Sequence, residues 1–306
     1  MTTPGRSPSS GSEAVHEPVL VREVVSLLRP HAGGLYVDGT VGLGGHTAAL
    51  LDAGAGRVIG LDRDQAALAV ARERLRWAGE RVTLLHADYR ELGEVLAARA
   101  VTHADGVLMD LGVSSLQIDD PARGFSFRER GPLDMRMDQS SGETLSERLA
   151  AVDEETLANV IWRFGEERHS RRVARAILAA RDRDELHDTA DLARAVRRGA
   201  GRGQWQRLDP ATRTFQALRI WVNDELERLE PCLESTAGLL SAGGRLAVIA
   251  FHSLEDRIVK HTFRRLATDG SVFTLATRRA VRPDEDEVSR NPRARSARLR
   301  VLERAA

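Results

Sequence analysis

Apolar positions along the chain follow two periods, and the alternation between them sets the architecture. Val21, Val24, Val25 and Leu28 recur at helical spacing, and Pro30 with Gly33 and Gly34 closes that helix. The stretch LYVDGTVGLGGH, residues 35–46, then reads as an apolar strand breaking into Gly39, Gly42, Gly44 and Gly45. That is the pattern of strand, tight turn and helix start, because glycine takes positive φ cheaply and lets a ligand approach the backbone. The order repeats three times: RVIGLD ends at Asp62 and leads into a helix reaching Gly79, RVTLLHAD runs toward Tyr89, and ADGVLMD ends at Asp110. Strands separated by helices predict a parallel, doubly wound α/β sheet. Ligands of such sheets sit beyond the carboxyl ends of the strands, where Asp38 to His46, Asp62, Tyr89 and Asp110 fall.

Beyond Gln117 the pattern breaks. DDPARGFSFRERGPLDMRMDQSSG is rich in turn residues, and 144–198 reads as helix throughout. The alternation returns with Asp209 and Pro210 as N-cap and first turn of a helix. It continues in the strand RLAVIAF and a helix in which Ser253 and Asp256 resemble a capping box. SVFTLAT and ARLRVLER are expected to pair at a sheet edge. The expected division is a disordered tail at 1–14, a core of 15–115 and 210–306, and an inserted all-helical subdomain at 116–209.

With 306 residues, 42% of them hydrophobic, the chain can bury a sizeable core. Lys+Arg and Asp+Glu are both 45, so a nucleic-acid surface must be local. Two stretches meet that condition: 163–207 holds 12 arginines against seven acids, and 290–304 holds six against one. Such excesses favour contact with phosphates. Cys232, the single cysteine, excludes an intrachain disulfide and a cysteine zinc cluster, reads as a packed small residue, and no metal ligand is assigned. The polar N-terminus lacks a signal-peptide core and no apolar run reaches membrane-spanning length, so a soluble cytoplasmic protein is expected.

The glycine turn alone fits several nucleotide folds. Counting from Gly42, Thr47 stands where a dinucleotide fingerprint needs its third glycine, and the Gly-Lys-Ser/Thr of a P-loop is absent. Asp62 suits a ribose diol and suits equally a helix N-cap. Tyr89 could face an adenine or pack under a loop. Asp110 ends an apolar strand, where a carboxylate is costly unless it is bonded. Phe125 and Phe127 fit base stacking and loop anchoring alike, and His252 ends a strand on the site side.

The blocks HEPVLVREVV, DGTVGLGGHT, GLDRD, DLGVSSLQIDDPARGFSFRERGPLDMRM, GEERHSRRVARAI, PATRTFQALRIWVNDEL, GGRLAVIAFHSLEDRIVK and NPRARSARLR together resemble the bacterial ribosomal RNA small subunit methyltransferase H family, also called MraW. The resemblance implies a Rossmann-like class I S-adenosylmethionine-dependent methyltransferase. It implies methylation of N4 of a cytidine in the decoding region of 16S rRNA, within the small ribosomal subunit or its precursor. It places the cofactor on Gly44, Gly45, His46, Asp62, Tyr89, Asp110 and Gln117, with Tyr89 keeping the ring of the phenylalanine expected in other members. It makes the helical insert the substrate-recognition part. Asp110 also stands where amino-methyltransferases carry an acceptor for the amine, although DLGV lacks the prolines and aromatic of their motif. It is therefore the catalytic candidate, serving the amine, the cofactor or both. A non-catalytic ribosome-assembly factor and a small-molecule N-methyltransferase are the alternative functions, and a homodimer is left open.

Overall fold

The computed structural model describes residues 18–201, 209–268 and 271–306, so the tail expected at 1–14 lies outside the described residues. Helix α1 (Val21–Leu28) leads into β1 (Leu35–Asp38), α2 (Gly45–Asp52), β2 (Arg57–Asp62), α3 (Gln65–Arg74), β3 (Val82–His86), α4 (Leu92–Ala97) and β4 (Ala104–Asp110). The helix expected to reach Gly79 ends at Arg74. A 3₁₀ segment, Arg76–Arg81, follows and kinks at Gly79, whose φ of 57° and ψ of −129° no helix accommodates.

After α5 (Ser115–Asp119) come four helices of the insert, α6 (Leu145–Ala151), α7 (Glu154–Gly165), α8 (Ser170–Asp182) and α9 (Thr189–Ala200). The chain returns through α10 (Pro210–Asn223), α11 (Leu229–Gly238), β5 (Leu240–Ala250), α12 (Ser253–Leu266), β6 (Phe273–Leu275), α13 (Glu285–Arg290) and β7 (Arg298–Arg304). One seven-stranded sheet has the order β3-β2-β1-β4-β5-β7-β6. β1 to β5 pair in parallel, and β7 runs antiparallel to both β5 and β6, the edge pairing expected.

Successive residues of a strand point to opposite faces, and here both faces are covered. Tyr36, Val58, Leu108 and Ile249 pack with α1, α2 and α3 on one side. Their neighbours Val37, Ile59, Val107 and Val248 pack with α4, α11 and α12 on the other. This is why the strands read as unbroken apolar runs. Strand order reverses direction between β1 and β4, which opens a crevice there.

The insert has its own apolar cluster, built from Leu145, Leu157, Ile161, Val173, Ile177, Leu192 and Val196. Helix α10, expected with the core, joins it instead. Ala211, Phe215, Leu218 and Val222 belong to that cluster, so by packing α10 goes with α7 and α9. Phe125 and Phe127 also pack against it, Phe127 edge-on to Phe215 at 4.8 Å, which favours the anchoring role over base stacking. Polar contacts tie the insert to the core. Asp64, capping α3, takes Arg123 Nη1 at 2.7 Å in a salt bridge buried on both sides, and Arg63 Nη1, just past the end of β2, donates to the Asn223 carbonyl of α10 at 3.3 Å.

Candidate active site

A cavity of about 360 Å³ opens where β1, β2 and β4 end, at the strand-order reversal. The glycine turn forms one wall. Asp38, fully buried, accepts from Thr47 Oγ1 at 2.7 Å and from the Thr40 amide at 3.1 Å, which ties the start of the turn to α2. Burial pushes its carboxyl up to about 6. Gly42, at φ +51°, donates its amide to Asp62 Oδ2 at 2.7 Å. A Cβ on Gly45 would lie 2.2 Å from Pro18 Cγ, so only glycine lets the N-terminal segment cross the start of α2. Gly44, the α2 N-cap at φ +81°, does not line the cavity; it shapes the turn behind it.

The other residues singled out from the sequence, Gly45, His46, Asp62, Tyr89, Asp110 and Gln117, all reach this one cavity. Asp62 is not a helix cap: Asp64 caps α3, accepting the Ala66 and Ala67 amides. Each Asp62 oxygen takes one backbone amide, Gly42 on Oδ2 and Asp64 on Oδ1. A carboxylate has about four acceptor positions, so room remains for a diol. Burial pushes Asp62 up to about 6. Tyr89 sits past the end of β3, on the 3₁₀ turn Tyr89–Glu91 that Asp88 caps, and burial raises its hydroxyl. Gln117 is buried with both ends of its amide engaged, Oε1 accepting the Ser114 amide at 3.0 Å and Nε2 donating to Asp64 Oδ2 at 2.8 Å.

His46 Nε2 lies 2.9 Å from the Val19 carbonyl, which requires the ring hydrogen there and leaves Nδ1 facing Asp110 Oδ2 at 3.7 Å. Asp110 Oδ1 is buried with no hydrogen-bond partner among the described residues. Burial pushes this carboxyl up to about 7, against the pull of His46 and with the charges of Asp38 and Glu255 adding.

A second group of residues lines the cavity as well: Gln216 and Arg219 of α10 and Glu225 just after it, with Phe251, His252 and Glu255 around the start of α12. The expected Ser253/Asp256 capping box falls one residue earlier. His252 caps α12, its Nδ1 accepting the Glu255 amide at 3.3 Å while Glu255 Oε2 accepts the His252 amide. Asp256 instead binds Arg298 and Arg300 of β7. Burial opposes the Glu255 charge, yet His252 and Arg219 hold its carboxyl below the ordinary range. Glu225, His252 and Glu255 bring ligand atoms within 4.8 Å of one another. They do not present a metal site: the Arg219 guanidinium already neutralises Glu225, and the Nδ1 bond puts the imidazole hydrogen on Nε2, the nitrogen a cation would need.

Four carboxylates, Asp62, Asp110, Glu225 and Glu255, line the cavity against three guanidiniums, Arg63, Arg219 and Arg293. The excess of negative charge, the orphaned Asp110 oxygen and the open acceptor positions of Asp62 fit an adenosyl ligand carrying a sulfonium and an ammonium against one carboxylate.

The profile of the MraW methylase family matches residues 13–305. The chain belongs to this family. Its fold is that of the class I S-adenosylmethionine-dependent methyltransferases, and S-adenosylmethionine is its cofactor. Similar proteins include the ribosomal RNA small subunit methyltransferase H of Sorangium cellulosum (strain So ce56), 54% identical over 94% of this chain and 90% of that one. Proteins of the same name from Anaeromyxobacter sp. (strain K) and Bradyrhizobium diazoefficiens are 49% and 48% identical, over 94% and 96% of this chain and 97% and 93% of theirs.

Sequence reasoning missed Arg63, Arg219, Glu225 and Glu255 as lining residues of this methylase. One signal was available: in FQALRIWVNDEL, Gln216 and Arg219 interrupt the apolar face of an amphipathic helix three residues apart.

Proposed function

We propose that the chain methylates ribosomal RNA of the small subunit in the cytoplasm, at the N4 amine of a cytidine in the decoding region of 16S rRNA. The observation that carries this reading is Asp110 Oδ1, a buried acceptor without a partner among the described residues, at the strand-order reversal of a methylase. The relatives' shared name supplies the RNA. Bound S-adenosylmethionine supplies an activated methyl group on a sulfonium. A cytosine amine is a poor nucleophile because its lone pair is delocalised into the ring, so the protein's task is orientation and exclusion of water. Asp110 accepts a hydrogen bond from the amine, which localises the lone pair. As the N–CH₃ bond forms and the C–S bond breaks, Asp110 takes the proton the nitrogen loses. Asp62 orients the ribose, the Tyr89 ring lies against the adenine, and the turn at Gly44 and Gly45, with His46 and Gln117, holds the wall against which the cofactor rests. The base must be flipped out of any stack to enter.

The insert is the substrate-recognition part in this reading. Several of its arginines are engaged by carboxylates: Arg175 by Glu154, Arg183 by Glu185, Arg194 by Asp191 and Arg197 by Asp209. Arg202 and Arg207 lie outside the described residues. Arg163, Arg168, Arg171 and Arg172 are exposed, and so is Trp162 next to Arg163 in the chain. The turn between α7 and α8 meets α12 through Glu166, which contacts Ser253 at 3.4 Å and Arg257 at 3.5 Å, one residue from the cavity. A phosphate backbone on this face would deliver a base to the site. The test is incubation of unmodified small subunits with S-adenosylmethionine, followed by mass mapping of the rRNA. One methyl on N4 of a decoding-region cytidine is expected. A methyl on any other atom, or none while RNA binding persists, overturns the reading.

A further inference from the structure

Arg219 is held in an unusual way for a residue that could merely close a helix. Its side chain is only 16% exposed, and its Nε and Nη2 donate to Glu225 Oε1 and Oε2 at 2.8 and 2.9 Å. This two-pronged pairing uses one edge of the planar guanidinium and fixes its plane. Nη1 has no hydrogen-bond partner among the described residues, so the second edge, Nη1 with the remaining Nη2 hydrogen, is a rigid pair of donors on a residue that lines the cavity. The surroundings are as unusual. Glu225, His252 and Glu255 have side chains 5%, 8% and 2% exposed. A buried group of ions is seldom the most stable filling for such a volume, since apolar side chains of the same size often serve better.

We propose that Arg219 reads the target base, its free edge donating to O2 and N3 of the cytosine, with Glu225 as the residue that aims it. The inference rests on the cytidine reading above and names the group that selects the base. O2 and N3 are adjacent acceptors on one edge of cytosine, and N4 is the next substituent along. A base held through O2 and N3 keeps its amine uncovered by the guanidinium, in the cavity that Asp110 also lines. Uracil carries a hydrogen on N3, which would meet an N–H donor, so the same edge rejects it. A site built to hydrogen-bond a ligand discriminates strongly because the wrong ligand leaves buried polar groups unpaired. Arginine pairing with two acceptors of a base edge is a common mode of base recognition. Phe251 lines the same cavity and offers an aromatic surface for the ring.

A purely structural account of Arg219 is that it secures the end of α10, where Asp224 takes φ 48° just before Glu225. Arg219→Lys separates the two accounts, because lysine keeps the charge and one contact to Glu225 but has no second edge. Labelled methyl transfer to unmodified small subunits, S-adenosylmethionine affinity by calorimetry and Tm are measured on the same preparations. Expected is a fall of about tenfold or more in kcat/KM, mostly in kcat because particle docking does not use Arg219, with cofactor affinity and Tm close to wild type. Glu225→Gln, which keeps the volume but weakens the aim, should lose less in the same direction. Activity of Arg219→Lys within about twofold of wild type, or parallel losses of Tm and cofactor affinity in both variants, overturns the proposal. If the wild-type protein does not methylate a cytidine amine at all, the functional reading fails first, and mapping of the wild-type product distinguishes that result.

Discussion

Replacing Asp110 with asparagine separates what this carboxylate does for catalysis from what it does to the fold. In the ligand-free protein its pKa is pushed up to about 7, mainly by burial, against about 3.9 in an unfolded chain. Because the folded value lies above the unfolded one, the ionised group opposes folding. Its contribution to stability is intact below about pH 4 and is lost as the pH rises through about 7. The gap corresponds to roughly 4 kcal/mol. With 23% of the side chain exposed, solvent screening reduces this to about 2 kcal/mol. Asp110→Asn has no charge to bury, so in a chain of 306 residues it should raise Tm by roughly 3 °C at pH 8 and leave it almost unchanged at pH 4. The same variant should lose methyl transfer by about 10²-fold or more, because the amine loses its proton acceptor. Calorimetric melts at the two pH values, alongside labelled methyl transfer, measure both effects. An equal change of Tm at pH 4 and pH 8, or transfer retained within about tenfold, would refute the reasoning.

Three further outcomes follow from the same geometry. Arg123→Met strands the buried Asp64 carboxylate, and since removing one partner of a buried pair costs about 3–5 kcal/mol, Tm in a calorimetric melt should fall by several degrees; an unchanged Tm contradicts the structure. Asp62, raised to about 6, must be ionised to accept a diol, so S-adenosylmethionine affinity should weaken as the pH drops through about 6, approaching tenfold per pH unit below it, and a flat titration profile from pH 5 to 8 speaks against that role. Gly45→Ala drives a methyl group into Pro18, and overpacking of this kind costs about 1–3 kcal/mol. Because Pro18 and Val19 line the cavity, cofactor affinity should fall with stability in that variant, whereas a loss of stability alone would show that the N-terminal segment does not support the site.

The sheet was legible in the sequence because its determinants are local. Each parallel strand buries both faces, so it must be continuously apolar, and each must end in residues able to turn the chain. The glycines at 42, 44 and 45 and the acids at 38, 62 and 110 therefore announce the strand ends and the side on which a ligand sits. Local chemistry does not choose between neighbours that offer the same functional group. In DRD either acid could cap α3, and backbone geometry gave the cap to Asp64 and freed Asp62 for the cavity. In FHSLED, Ser253 looked like the cap, and the extended backbone at His252 set the helix start one residue earlier.

Tertiary structure alone decided what depends on distant partners. An amphipathic helix states that one face is buried without stating against what, and α10 packs on the insert although the pattern around it is that of the core. The Arg219–Glu225 pair was readable as two charges in one segment, but not as a group facing the same cavity as Asp110 and His252, because burial and proximity arise only when α10 folds over the ends of β4 and β5. The sequence thus determined the sheet and the cavity at its strand ends through patterns that act over a few residues. The folded chain determined which charged side chains meet there, since their pairing is fixed by packing between segments far apart in sequence.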